Sequence, residues 1–216
     1  MTRPLLDLSV YLVTDTAQCG RVGVPAVAAA AAVAGGVTVV QVRDKQAGDR
    51  ELLVLVRAVQ AALTGTGVPV IVNDWVDVAV AARADGAHIG QGDLDPAAAR
   101  ALLGPDRLLG VSCSRGSEIA AVAALPVGTV DYLGFGPVHP TGTKQTGPPL
   151  GVAATAELCA LSPLASVAIG GLDELTAGAV IAGGVDGIAV VSAICRAADP
   201  ASAARGLRAA VAAARR

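Results

Sequence analysis

Aromatic residues are nearly missing from this chain: one Trp, two Tyr and one Phe amount to 2% of the sequence. Charge is thin as well, at 16% with a net of −2 and no Lys/Arg run. Without a basic patch the chain lacks the electrostatic footprint of a nucleic-acid binder, so nucleic acid is not an expected partner. The four cysteines, Cys19, Cys113, Cys159 and Cys195, form no CxxC and no paired spacing. That argues against a zinc site or a disulfide framework and for free thiols in a reducing cytoplasm. The opening MTRPLLDLSV lacks the uninterrupted apolar core of a signal peptide. No charge appears from Val22 to Val40, but Pro25, the Gly35-Gly36 pair and many weakly apolar alanines break that stretch into helix, turn and strand. It does not read as a membrane span, and no membrane is expected as a partner.

What fills the chain is small and apolar. Hydrophobic residues make up 53% of 216 positions, with alanine, valine and glycine prominent. A chain of this length can bury roughly 70% of its unfolded surface. Short β-branched runs alternate with Ala/Leu-rich segments throughout. The candidate strands are VYLVT (10–14), VTVVQV (37–42), VPVIV (68–72), GAHI (86–89), RLLGV (107–111), VDYLGF (130–135), ASVAI (165–169) and DGIAVV (186–191). Between them, as in 49–63 and 95–104, apolar residues recur at helical three- and four-residue steps. The terminal 199–216 reads as a closing helix with Asp199 near its start and two arginines at its end, in line with the helix dipole.

Eight strand–helix units of about 27 residues, without a composition break, imply one domain over 1–216. Near-continuous apolar strands imply burial on both faces, as in a parallel sheet. An open doubly wound sheet shares this pattern. Eight units ending in a helix favour a single closed (β/α)8 TIM barrel, and no GxGxxG follows the first strand to support dinucleotide binding.

In such a barrel chemistry sits where the strands end in loops. The first strand ends in Thr14-Asp15. The second ends QVRDK, with Gln41, Arg43 and Lys45 at every second residue and so on one face if the strand persists. Two cations and an amide there suit a polyanion; a solvated charged turn is the competing explanation. The third strand ends in Asn73-Asp74 and the fourth in HIGQGDLD, with His88, Gln91 and Asp93. Asp74 and Asp93 on neighbouring strand tips can share a cation, and hard oxygen ligands beside Arg and Lys suit Mg²⁺ bridging to a pyrophosphate. Singly, each Asp also reads as an ordinary helix N-cap, as Asp95 before Pro96 does. Ser112 and Ser114 end the fifth strand, and either could cap the next helix. Gly170-Gly171 after the seventh strand and Ser192 after the eighth match the backbone phosphate site common in barrels, with glycines admitting an approach that side chains would block. Two anion sites on one rim fit two phosphorylated substrates, one carrying pyrophosphate with a metal. Between these sites the sixth strand opens into GFGPVHPTGTKQTGPPLG (134–151), a Gly/Pro/Thr loop too long to be a plain connection in so compact a barrel.

The segments YLVTD, VQVRDK, VIVNDWVDVAVAARADGAHIGQGDL, GVSCS, YLGFGPVHPTGTK, VAIGGL and GIAVVSAI, in that order and across essentially the whole chain, resemble the thiamine phosphate synthase family. The resemblance implies a cytoplasmic TIM-barrel transferase that joins hydroxymethylpyrimidine diphosphate to thiazole phosphate and releases pyrophosphate, with Mg²⁺ as cofactor. It implies Asp74 and Asp93 as metal ligands. The run Gln41-Val42-Arg43-Asp44-Lys45, with Asn73, Ser112 and Lys144, is implied at the pyrimidine diphosphate. Thr141, Gly142, Thr143, Gly170, Gly171, Val191 and Ser192 are implied at the thiazole phosphate. Arg43, Lys45, Ser112 and Lys144 would carry the catalysis. The 134–151 loop would be a mobile lid setting Thr141 and Thr143 on the thiazole phosphate and Lys144 on the diphosphate. Two positions depart from the family pattern: Trp75 stands where an Arg usually follows Asn-Asp, and Arg115 where a His is frequent. His88 reads as structural, and His139 is left without a role. Two other functions compete: a thiazole tautomerase on the same barrel, which would not need the metal carboxylates, and a non-catalytic phosphate-sensing barrel.

Overall fold

The computed structural model describes residues 6–20, 23–141 and 148–216. Among them eight parallel strands close into a barrel in sequence order, the first hydrogen-bonded to both the second and the eighth. The strands are β1 Val10–Val13, β2 Val39–Val42, β3 Val70–Asn73, β4 Gly86–Ile89, β5 Leu108–Cys113, β6 Tyr132–Phe135, β7 Ala165–Ile169 and β8 Gly187–Val190. All eight fall on the runs expected from sequence, two of them with identical bounds. The doubly wound alternative is excluded by the β1–β8 pairing.

Strand alternation divides the apolar residues into two cores. Val10, Leu12, Val40, Val42, Leu109, Leu133, Ala168 and Ile188 face outward into the shell between barrel and helices. Leu8, Tyr11, Val13, Val39, Ile71, Leu108, Tyr132, Val167 and Ala189 fill the barrel itself. A continuous Val/Ile/Leu strand thus serves both layers, as burial on two faces requires. Two of the four aromatic residues, Tyr11 and Tyr132, are spent on the interior, where their rings lie 6.0 Å apart.

The helices begin where their capping residues say they should. Asp15 caps α1 (Thr16–Cys19) by accepting from the Gln18 N–H; α2 (Val24–Ala29) runs on into a π-helical turn at Ala30–Ala34. α3 spans Asp49–Ala62 and α4 Val76–Ala82. Asp95 caps α5 (Pro96–Leu103) through the Ala97 and Ala98 N–H groups, with Pro at the first helical turn where no donor is needed. α6 (Gly116–Ala123), α7 (Gly151–Leu161), α8 (Ala177–Ala182) and α9 (Ser192–Cys195) follow their strands. α10 (Pro200–Ala214) is capped by Asp199, which accepts from the Ser202 N–H.

At the N-terminal end of the barrel a repeated device holds the strand register. The aspartate just before each of β4, β6 and β8 accepts the first free N–H of the preceding strand. Asp85 takes Val70 at 2.8 Å, Asp131 takes Leu109 at 2.7 Å, and Asp186 takes Ser166 at 2.7 Å. Arg100 braces Asp131 from α5 at 2.6 Å. These carboxylates sit at the stabilising end of the barrel, which leaves the opposite rim for chemistry.

Candidate active site

The C-terminal rim carries a cleft that reaches down into the barrel. Its polar wall is Gln41, Arg43, Lys45, Asn73, Asp74, His88 and Ser112; its apolar wall includes Val13, Val167, Ile169, Ala189 and Val191, with Tyr11 and Gly134 deeper in. Residues as far apart as Tyr11 and Val191 meet here because every inward side chain at a strand's C-terminal end faces the same axis.

Strand β2 stops at Val42, yet Gln41, Arg43 and Lys45 all reach the cleft as the two-residue spacing predicted. The Arg43 guanidinium lies 3.2 Å from Asp15, and both side chains are largely buried. The Arg43 N–H is also held by the buried Thr14 hydroxyl at 3.1 Å. Lys45 is half exposed, with Nζ 3.7 Å from Asp74 Oδ2. The other two residues of the run do not share the cleft. Val42 is buried in the outer shell because its neighbour Gln41 points inward. Asp44 folds back to accept the Gln46 and Ala47 N–H groups at 2.9 and 3.1 Å, closing the loop after β2.

Asp74 is not a helix N-cap, the reading that competed for it. The first residue before α4 is Trp75, and Asp74 holds a left-handed backbone with φ of 64°. Its own N–H donates to the His88 carbonyl at 2.8 Å, tying the loop after β3 to β4. Aspartate tolerates this conformation better than most residues, and such positions concentrate where a side chain must be aimed. Asp93 is no cap either, since Asp95 takes that position; its carboxylate accepts the Gly90 N–H at 2.7 Å in the turn after β4. The two carboxylates therefore stand on loops at the same end of paired strands, with Asn73 beside His88 in register. No cluster of three metal-ligating side chains exists among the described residues. Two carboxylates suffice for Mg²⁺, which keeps waters and takes substrate phosphate oxygens for the rest. Carboxylates on neighbouring strand tips fit that ion by their chemistry; Asp74 lines the cleft, and Asp93 stands outside its lining, exposed in the turn after β4.

Ser112 is likewise not a cap. Its hydroxyl lies 2.9 Å from His88 Nε2, and α6 is preceded instead by Arg115. His88 is buried, as expected from sequence, but it belongs to the cleft wall and is more than packing. Its Nδ1 meets the Tyr132 hydroxyl at 3.1 Å, Tyr132 meets Tyr11 at 2.8 Å, and Gln41 Nε2 donates to Tyr11 at 2.8 Å. Burial pushes both phenols above their ordinary pKa, so both stay neutral. Sequence reasoning passed over the two tyrosines. The available signal was that the chain's only two Tyr stand on strands, at positions whose alternation points into the barrel.

The β6 end explains the quoted loop. After Phe135, the Val138 and His139 N–H groups donate to the Ile169 and Gly170 carbonyls at 2.9 and 3.0 Å. Leu150 and Gly151 donate back to Pro137 and Val138, clipping the two ends of the loop together. Gly170 and Gly171 both have positive φ, and a Cβ on either would press on Pro137 or on His139 at 2.7 Å. The space a Cβ would need is thus taken by the chain's own loop, a reason for glycine here beside the ligand approach expected. Thr141 is half-buried at the loop's start; Gly142, Thr143 and Lys144 lie outside the described residues. Val191 lines the cleft and Ser192 opens the short α9 beside it. Trp75 and Arg115 are both exposed and line no part of the cleft.

A closed eight-stranded parallel barrel with cations, carboxylates and amides at the C-terminal ends of its strands defines a (β/α)8 barrel with a charged cleft at its C-terminal rim. Comparison with known proteins is specific. Residues 10–194 match the family described as thiamine monophosphate synthase. A thiamine-phosphate synthase of Xanthobacter autotrophicus is 50% identical over 216 residues, 100% of both chains. One of Laribacter hongkongensis is 47% identical, over 95% of this chain and 96% of the other. A solved structure of thiamine phosphate pyrophosphorylase from Pyrococcus furiosus superposes with a TM-score of 0.84 at 30% identity, covering 96% of this chain and 97% of that one. The chain belongs to the thiamine monophosphate synthase family, and it is a transferase. No described helix is long and apolar enough to cross a membrane.

Proposed function

We propose that the cleft joins hydroxymethylpyrimidine diphosphate to thiazole phosphate, forming thiamine phosphate and releasing pyrophosphate. What carries this function is the convergence of Gln41, Arg43, Lys45, Asn73, Asp74 and Ser112 from three strand ends onto one cleft. The reacting bond is the C–O bond between the pyrimidine methylene and the diphosphate. An aminopyrimidine ring delocalises the cation left when that bond breaks, so the path is dissociative, and the thiazole nitrogen then supplies the new C–N pair without losing a proton. No general base is required, in keeping with a rim whose histidine is engaged in a hydrogen-bonded chain.

The protein's task is to hold two anions in line and to take up leaving negative charge. Arg43 is pre-aimed by Asp15 and Thr14 and supplies a fixed fork of donors. Lys45, half exposed, moves from Asp74 to a phosphate oxygen. Lys144 is proposed at the same diphosphate, and Gln41, Asn73 and Ser112 orient the ring and its methylene. Thr141, Gly142, Thr143, Gly170, Gly171, Val191 and Ser192 form the proposed thiazole-phosphate site, with Gly170, Gly171 and Ser192 offering backbone N–H groups after β7 and β8. Mg²⁺, held by Asp74 and Asp93, would neutralise diphosphate charge as the bond breaks. Free thiols at all four cysteines accord with the cytoplasm as the site of action.

The test is incubation with both phosphorylated substrates and Mg²⁺, scoring thiamine phosphate and pyrophosphate. Both products are expected. Isomerised thiazole phosphate alone would establish the tautomerase, and binding without conversion a sensor.

A further inference from the structure

Five side chains from five strands form one unbroken hydrogen-bonded chain beneath the cleft: Gln41 on β2, Tyr11 on β1, Tyr132 on β6, His88 on β4 and Ser112 on β5. Its two ends line the cleft, and its two phenols are fully buried. Gly110, in register with both His88 and Tyr132, makes the meeting of those rings possible, since a Cβ there would overlap both.

Each buried phenol has one proton and, among the described residues, no acceptor for it outside the chain, so direction at one end dictates direction at the other. Gln41 donates to the Tyr11 oxygen. Tyr11 then spends its only proton on Tyr132, and Tyr132 spends its own on His88 Nδ1. A neutral imidazole accepting at Nδ1 carries its proton on Nε2, which donates to Ser112 Oγ. The Ser112 proton is left for the cleft, as is the Gln41 carbonyl oxygen. The opposite direction would present an amide N–H at Gln41 and only lone pairs at Ser112. Both phenols are held neutral by burial, so the chain cannot break polarity by ionising in the middle.

We propose that Tyr11, Tyr132 and His88 are positioning residues that set the hydrogen-bond polarity of the cleft, an acceptor at Gln41 and a donor at Ser112, and thereby select a ring bearing an amino group beside ring nitrogens over its oxo counterpart. This selection rests on the proposed pyrimidine substrate. Tyr132 lies beneath the cleft, Tyr11 and His88 at its wall, and the polarity they set is delivered through Gln41 and Ser112. A site built to pair a substrate's polar edge discriminates strongly against an analogue with that edge inverted, because its own buried groups are left unpaired.

The experiment uses the full chain and its Tyr132→Phe variant, which keeps the ring and loses the hydroxyl. Steady-state rates are measured with hydroxymethylpyrimidine diphosphate and with the analogue carrying an oxo group in place of the amine. Nitrogen-15 NMR of histidine-labelled protein reads the His88 tautomer. In the parent protein His88 is expected with Nδ1 unprotonated and Nε2 protonated. In Tyr132→Phe the amino/oxo preference in kcat/KM is expected to fall at least about tenfold, with KM for thiazole phosphate unchanged. An Nδ1–H tautomer in the parent overturns the polarity, and an unchanged preference in the variant overturns the selection. If the parent forms no thiamine phosphate at all, the proposed reaction fails and the ring selection with it. The His88 tautomer then still upholds or overturns the one-way chain.

Discussion

Gly110→Ala is a small substitution that the barrel interior tolerates badly. The added Cβ would lie 2.5 Å from the Tyr132 hydroxyl oxygen and closer still to Tyr132 Cζ and His88 Nδ1. Neither ring can swing away freely, since Tyr132 is fully buried against Tyr11 and His88 is 8% exposed. Overpacking of this kind costs roughly 1–3 kcal/mol. Parting Tyr132 from His88 adds roughly 1–3 kcal/mol more for each buried polar group left unpaired. We expect a loss of about 3 kcal/mol, which in a chain of this size lowers Tm by roughly 6–12 °C. Gly134→Ala provides the scale, because its Cβ would sit 3.1 Å from His88 Cε1 and call for a shift of only tenths of an ångström. It should cost about 1 kcal/mol or less. Thermal and urea unfolding by circular dichroism measures both. A Gly110→Ala protein melting within about 2 °C of its parent, or no less stable than Gly134→Ala, would refute the packed, hydrogen-bonded interior described here.

Lys45→Ala should leave stability within about 1 kcal/mol, since its ion pair with Asp74 is solvent-exposed, while kcat falls at least about tenfold. A large Tm change with an unchanged rate would assign Lys45 to structure instead. Asp74→Gly relieves a positive φ, so a melting temperature no lower than the parent's is expected together with loss of Mg²⁺-dependent turnover; retained turnover would remove Asp74 from the metal site. Asp93→Ala should abolish turnover, and Lys144→Ala should lower kcat at least about tenfold, both read in the thiamine phosphate assay. Finally, burial pushes the Cys113 thiol up to about 12 and holds the Tyr11 and Tyr132 phenols above 10. The unfolded chain releases these protons from about pH 9 and 10 upward while the native state keeps them. Stability should therefore fall as pH rises from about 9 toward 12, in urea titrations at fixed ionic strength. A flat profile would contradict it.

Much of the molecule could be read before any coordinates. The eight strands followed from β-branched runs, two helix starts from Asp95 and Asp199, and the rim residues from what stands at each strand's end. These signals are local: alternation and capping depend on a few neighbouring residues and survive in any barrel. Gln41, Arg43 and Lys45 stay together although β2 stops at Val42, because the Thr14 hydroxyl and the Asp15 carboxylate hold Arg43 toward the cleft. Val42 and Asp44 do not join them, one turned outward by the pleat and the other drawn back to its own loop.

The sequence by itself determined the fold class, the order of the elements and the rim on which chemistry falls, because each is written in the periodicity and punctuation of contiguous segments. Only tertiary structure decided that Ser112 meets His88 and escapes a capping role, that Asp74 takes a left-handed backbone, and that Gly170 and Gly171 are kept small by Pro137 and His139. Closure of the barrel brings these residues within bonding distance, and closure is a property of all eight strands at once, so no single segment could announce it.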